Sequence, residues 1–370
     1  MLMPGLGYAS LAWQVVPSPN VNAGTSLLYA VAARSTTDAW AVGVGARQVN
    51  SWGTLVEHWN GTSWSIISSP SPGYSNQLVG VAALASTDAW AVGSTKATST
   101  ASNKGLAIHW NGRNWSLATL PDPCAYDTYL NAVAGSSSND VWAVGSCDSV
   151  VSQPAVIEHW NGTAWSATTL PQIGQQAFLT GVVALSSSNA WAVGYYDADG
   201  NNFPTLIMHW DGTAWSRVDS PNSGGSVNQL YSVTARNGSD IWAVGTSLVP
   251  GTPSTYQTLT EHWDGQAWSV VPSPNVGTEN NSAKSVAVSG TSDVWAVGYY
   301  VQTTEVCDDT CYDLITNQAL TLHWNGSQWL VLDSTNIGTG LSAISAASST
   351  QFWSVGSINS RTLTARLTTQ

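Results

Sequence analysis

What this chain lacks narrows it first. Charge is scarce: 9% of the 370 residues are Asp, Glu, Lys or Arg, against about a quarter in ordinary globular chains. Basic residues are scarcest, with Lys96, Lys104 and Lys284 the only lysines and a net charge of -12. Neutralising phosphates takes a basic stripe; none is present, so no nucleic-acid partner is expected. No run of 18 or more apolar residues occurs, so no membrane insertion is expected either. The opening Met1-Leu-Met-Pro-Gly-Leu-Gly-Tyr8 has no basic n-region and no long apolar core, and does not read as a signal peptide.

What is abundant is tryptophan, 21 residues of it, and it is periodic. Trp-Ala-Val-Gly begins at Trp40, Trp90, Trp142, Trp191, Trp242 and Trp295, with Trp-Ser-Val-Gly at Trp353. A second phrase, His-Trp-(Asn/Asp)-Gly-x-x-Trp, alternates with it from His58, His109, His159, His209, His262 and His323. A period near fifty residues means one supersecondary unit per repeat, each needing its neighbours to bury its faces. Residues 11–370 are therefore read as one domain preceded by a tail, residues 1–10.

Residues 27–70 give the type repeat. Leu28–Ala33 reads as strand a, Ala39–Gly43 as b, Thr54–Trp59 as c and Ser63–Ile67 as d. Asn60-Gly61 between c and d predicts a two-residue hairpin turn with both residues at positive φ. Seven such antiparallel blades form an all-β propeller. The last repeat stops after strand c, and its missing strand d lies at the other end of the chain. Ala12–Val21 nearly duplicates Ala267–Val276, strand d of the sixth repeat with its exit loop. The N-terminal strand should complete blade seven and close the ring.

Alternating chain direction puts the a–b and c–d turns on one face and the b–c and d–a loops on the other. The turn face is nearly constant in sequence, whereas the loop face carries the length variation, from the fourth blade's short b–c loop to the sixth's long one. Binding residues favour variable loops on a rigid scaffold.

All six histidines belong to the repeat, one per blade, so they do not converge on a metal or a reaction centre. Asp38, Asp88, Asp140, Asp240 and Asp293 should meet His58, His109, His159, His262 and His323 as buried structural pairs; Gln351 and Arg366 stand in both places in blade seven. Twenty tryptophans fit positions in b, c or d and read as inter-blade packing. The rival reading is a multivalent lectin with sugar sites at the blade interfaces.

Trp52 falls outside the pattern, in the first b–c loop. With Tyr195, Tyr196, Tyr299 and Tyr300, which follow strand b in blades four and six, it forms the candidate ligand-contact set. Unrepeated carboxylates, Asp122, Asp148, Glu279, Asp308 and Asp309 among them, make the loop face acidic. Asp197, Asp199 and Asn201 have part of the spacing of a calcium loop, but an ordinary Asp-Gly turn explains them better; no cofactor is otherwise implied. Cys124 and Cys147 should be neighbours at blade three, and Cys307 and Cys311 close a tight turn in blade six. Two disulfides, and so an oxidising location, fit better than zinc, because the pairs lie on distant blades.

The alternating phrases resemble the Trp-rich propeller repeats of bacterial secreted and surface proteins, kelch-like or galactose-oxidase-like in broad class. The chain lacks kelch's paired glycines after strand b and the Trp-Asp strand end of the WD type. The resemblance covers residues 11–368 and implies a propeller without a fixed activity. The expected function is a non-enzymatic extracellular or cell-surface binding or assembly module, taking a glycan or a surface protein, with self-assembly a further expectation. The alternative is a carbohydrate-active or lyase-type enzyme at the channel mouth; no converging pair of titratable groups in the sequence marks one.

Overall fold

The computed structural model describes residues 11–21, 24–48, 51–148, 155–168, 170, 172–251, 254–307 and 311–369. The expected tail, residues 1–10, together with Asp308 and Asp309, lies outside them. Among the described residues there is no helix, and hence none long and apolar enough to cross a membrane. Seven four-stranded antiparallel sheets form the ring. Blade one consists of strand a (Ser26–Ser35), b (Asp38–Gln48), c (Ser51–Trp59) and d (Trp64–Ile66). Blade seven has a (Leu341–Ala346), b (Gln351–Ile358) and c (Arg361–Thr368), and its strand d is Gln14–Val16, with Val15 opposite Ala365.

Each strand b is buried on both sides because it lies between two neighbouring blades. Trp40, Ala41 and Val42 are at most 2% exposed. The alternation of large and small residues has a local cause. A Cβ on Gly43 would sit 1.9 Å from the carbonyl oxygen of Leu27, and one on Gly145 1.8 Å from that of Tyr129. At that point strand a skips a residue: the register jumps from Leu28 to Ala30, leaving Tyr29 in a bulge. The same bulge leaves out Val79, Asn131, Thr180, Tyr231, Lys284 and Ser342 in the other blades.

The tryptophans pack between blades, as expected. Trp40 of blade one meets Trp110 and Trp115 of blade two, the latter edge-on at 88°, and Trp353 closes the ring against Trp59 and Trp64. The d-strand indole nitrogens from Trp64 to Trp329 are buried without a hydrogen-bond acceptor, and each belongs to such a T-shaped contact. A T-shaped contact sets the edge of one ring against the face of the other, the arrangement in which an N–H···π contact can form.

Three local expectations are corrected. The c–d connection is a four-residue loop, with Trp59 paired to Trp64; Gly61 alone has positive φ (93°), and Asn60 Oδ1 accepts from the backbone of Thr62 and Ser63. An Asx turn does there what positive φ at Asn60 was expected to do. Positive φ at both residues occurs instead at Asn359 (50°) and Ser360 (62°), in blade seven's b–c hairpin. The long sixth b–c loop is a paired ribbon, Asp293–Cys307 against Cys311–Trp324. Trp52 likewise stands in strand c, opposite Ala46 and half-buried, rather than in a loop.

Candidate functional site

The seven bulged residues share one location. They line the central channel, a cavity of about 250 Å³ walled by the a strands of all seven blades. A bulge re-aims its side chain, and here it turns one residue of each strand a to the channel. The occupants are Tyr29, Val79, Asn131, Thr180, Tyr231, Lys284 and Ser342, and Lys284 alone is charged. Asn131 and Thr180 are engaged with the next blade's backbone, donating to the carbonyls of Leu179 and Leu230.

On one side of the channel the bulge residues join tyrosines from the ends of strands b. The Lys284 ammonium lies 4.0 Å from the Tyr231 ring centre and 5.5 Å from that of Tyr299. Tyr195 stacks on Phe178, with ring centres 4.9 Å apart, and lies close enough to Tyr231 to act on its phenol. Burial, and then the neighbouring Tyr195, Tyr299 and Tyr256, push the Tyr231 phenol well up; burial alone raises Tyr195. Burial also lowers the Lys284 ammonium. Beside this cluster a pocket of about 340 Å³ opens between blades six and seven, lined by Lys284, Tyr299, Asn317, Thr339, Ser342 and Ser357.

Side-chain alternation along strand b divides the two tyrosine pairs. Tyr195 and Tyr299 face the next blade and the channel cluster, with Tyr299 lying against Gly340. Tyr196 and Tyr300 turn to the previous blade and pack on buried clusters there. Tyr196 is further held by Arg217, whose guanidinium sits 4.5 Å over its ring and donates to its hydroxyl. Trp52 stands apart on blade one. Tyr231 and Lys284 were missed in the sequence; the signal was the variable second residue of a Leu-x-small-Val phrase in strand a, kept in five blades and changed only to Ala283 at its start in blade six and Ile344 at its end in blade seven.

Asp197 and Asp199 form successive Asx turns around Gly200. Asp197 Oδ1 accepts from the backbone of Asp199 and Gly200, and Asp199 Oδ1 from that of Asn201 and Asn202. Both disulfides are formed: Cys124–Cys147, with Cα atoms 5.5 Å apart, and Cys307–Cys311, at 4.1 Å. Glu305 lies near the latter pair, but disulfide sulfurs are not thiolate ligands.

Five histidines bond their expected aspartates at 2.7–2.9 Å, and His209 bonds Asn189 at 3.1 Å. The five imidazoles keep 20–31% side-chain exposure, so they are half-buried rather than buried; each also rests on the Trp of its own strand b. Arg366 takes the histidine position opposite Trp353. Between blades, open pockets of about 560 Å³ and 510 Å³ are lined by Trp160 and Trp165 and by Trp263 and Trp268. Glu57, Glu158 and Glu261 are fully buried in three different blades. Burial raises them to about 7, 8 and 8 respectively.

No protein-family model and no curated sequence relative matches the chain. Among solved structures it is similar to YCF48 bound to D1 peptide, with a TM-score of 0.59, 14% identity and 100% of both chains covered. It is similar to the WD40 β-propeller domain of Doa1 (TM-score 0.57, 11% identity, 97% of this chain and 98% of that one). An ulvan lyase bound to a GlcA(1-4)Rha3S saccharide gives a TM-score of 0.54 at 10% identity, covering 98% of this chain and 96% of that one. At such identities the likeness is one of fold: the chain is a seven-bladed β-propeller with tryptophan in every blade.

Proposed function

We propose that this protein is a non-enzymatic extracellular or cell-surface binding module that takes a carbohydrate on its loop face, at the mouth of the central channel. The observation that carries this reading is the placing of Tyr231 and Tyr299, from two blades, on either side of Lys284, with Tyr195 of a third blade near enough to raise the Tyr231 phenol. Tyrosine faces suit sugar rings, and the pocket beside them offers hydroxyl and amide groups. The two disulfides, both on that face, agree with an oxidising location. Binding is favoured over catalysis because, among the described residues, the pocket's lining sets no carboxylate beside Lys284 and Tyr299 to form an acid–base pair. Propellers of this fold include a peptide-bound protein and a saccharide-bound lyase, so a surface protein is the alternative ligand.

A glycan-array screen of the full chain, with and without calcium, tests the reading and the Asp197 turn together. Binding should be lost in Tyr299→Ala at unchanged melting temperature. Trp52→Ala tests whether the site extends to blade one. A second reading rests on the two open pockets beside Trp160 and Trp263. If Tyr299→Ala binds normally while Trp160→Ala loses binding and still melts like the parent, the sites belong to the blade interfaces.

A further inference from the structure

We infer that the ligand of this site is a sugar carrying a single carboxylate, held by Lys284; this rests on the channel-mouth reading above. The reasoning starts from cost. Burial opposes the charged form of Lys284, and among the described residues no carboxylate pairs with its ammonium. The Tyr231 and Tyr299 faces return part of the lost hydration. At the same bulge, six other blades carry Tyr, Val, Asn, Thr, Tyr and Ser. The backbone geometry therefore accepts a neutral side chain, and the fold does not need a cation there. An ammonium set among aromatic rings, with donors free, is a receptor for an anion entering from solvent.

The neighbouring groups define what else that anion carries. Asn317, Thr339, Ser342 and Ser357 line the same pocket as Lys284, and Tyr299 forms one of its walls. Hydroxyl and amide groups beside an aromatic wall suit a pyranose: an apolar ring face with hydroxyls at its rim. One cation balances one carboxylate. The rest of the protein argues against more, because a net charge of -12 repels a polyanion at low salt. A uronic acid at the end of an otherwise neutral glycan meets all three conditions.

The test is ligand-observed NMR on the full chain with methyl glucuronide and methyl glucoside, which differ only in that carboxylate. The glucuronide should bind at least tenfold more tightly. Lys284→Met should abolish the preference without lowering the melting temperature, and Lys284→Arg should retain part of it. Equal binding of the two glycosides through Tyr299 would overturn the acidic-sugar inference and leave the channel-mouth reading standing. No Tyr299-dependent binding of either glycoside overturns both. Displacement of glucuronide by an aspartyl dipeptide that binds at least tenfold more tightly would reassign the pocket to an acidic peptide and overturn the proposal.

Discussion

At the scale of single residues, the three buried glutamates carry the clearest consequence. Glu57, Glu158 and Glu261 precede His in blades one, three and five, where blades two, four and six have Ile108, Met208 and Leu322. That exchange with apolar residues is the mark, in the sequence itself, of a core position. Ser18 donates to Glu57 and Ser220 to Glu261, but both Glu158 oxygens lack a donor. Leu120, five residues after Trp115 as Ser18 is after Trp13 and Ser220 after Trp215, has no hydroxyl to donate. Burial, and then the nearby Asp122 charge, raise Glu158 from 4.5 to about 8. The folded state therefore binds more protons than the unfolded chain between these values, and stability falls as pH rises through them. The ionised form costs the fold on the order of 5 kcal/mol at Glu158. Thermal melts from pH 5 to 8 should show a falling melting temperature, and Glu158→Gln should flatten much of the slope. A variant with the parental slope would remove Glu158 as its cause.

Among elements, the two disulfides should prove unequal. Cys124–Cys147 lies in a buried cluster with Leu130, Val156 and Trp165 and spans 23 residues. Closing a loop of that length is worth about 3 kcal/mol. Cys307–Cys311 spans 4 residues at the tip of the blade-six ribbon, where Gln302–Glu305 and Cys311–Ile315 are exposed. Replacing both cysteines of the first pair by serine should lower the melting temperature measurably, while the same change at the tip should not; equal losses would mean the ribbon is coupled to the ring. The ribbon was hidden in the sequence because Gln302-Thr-Thr-Glu305 has no apolar alternation to betray a strand, and cross-strand pairing alone orders it. The tyrosine pairs were half-legible for the opposite reason. Their position after strand b was clear, but which member faced the channel depended on a register that only the fold supplies. Tyr299→Ala should therefore leave stability nearly intact, whereas Tyr300→Ala, packed with Trp324 against a buried cluster, should destabilise by a few kcal/mol in a denaturant melt.

For the whole molecule, the question is what holds the ring shut. The near-duplication of Ala267–Val276 at Ala12–Val21 made the closing strand legible, since a repeat that ends one strand short must find it elsewhere. The structure shows how much that segment joins. Trp13 is buried among blade-six and blade-seven residues, and its indole donates to Thr321 of blade six. Its carbonyl accepts from Asn336, while Val16 accepts from Thr364 of blade seven. Ser18 then reaches both Thr362 of blade seven and Glu57 of blade one. One short strand with its exit segment thus contacts three consecutive blades, at the seam where the chain ends meet. Deleting residues 1–17 removes the strand and a buried tryptophan worth about 3–5 kcal/mol, and it exposes the edge of strand c. The truncated protein should melt roughly 5 °C or more below the full chain, with Trp13→Ala losing a smaller part of the same difference. A truncated ring that melts like the parent would mean that six complete blades close on the seventh's three strands without the latch.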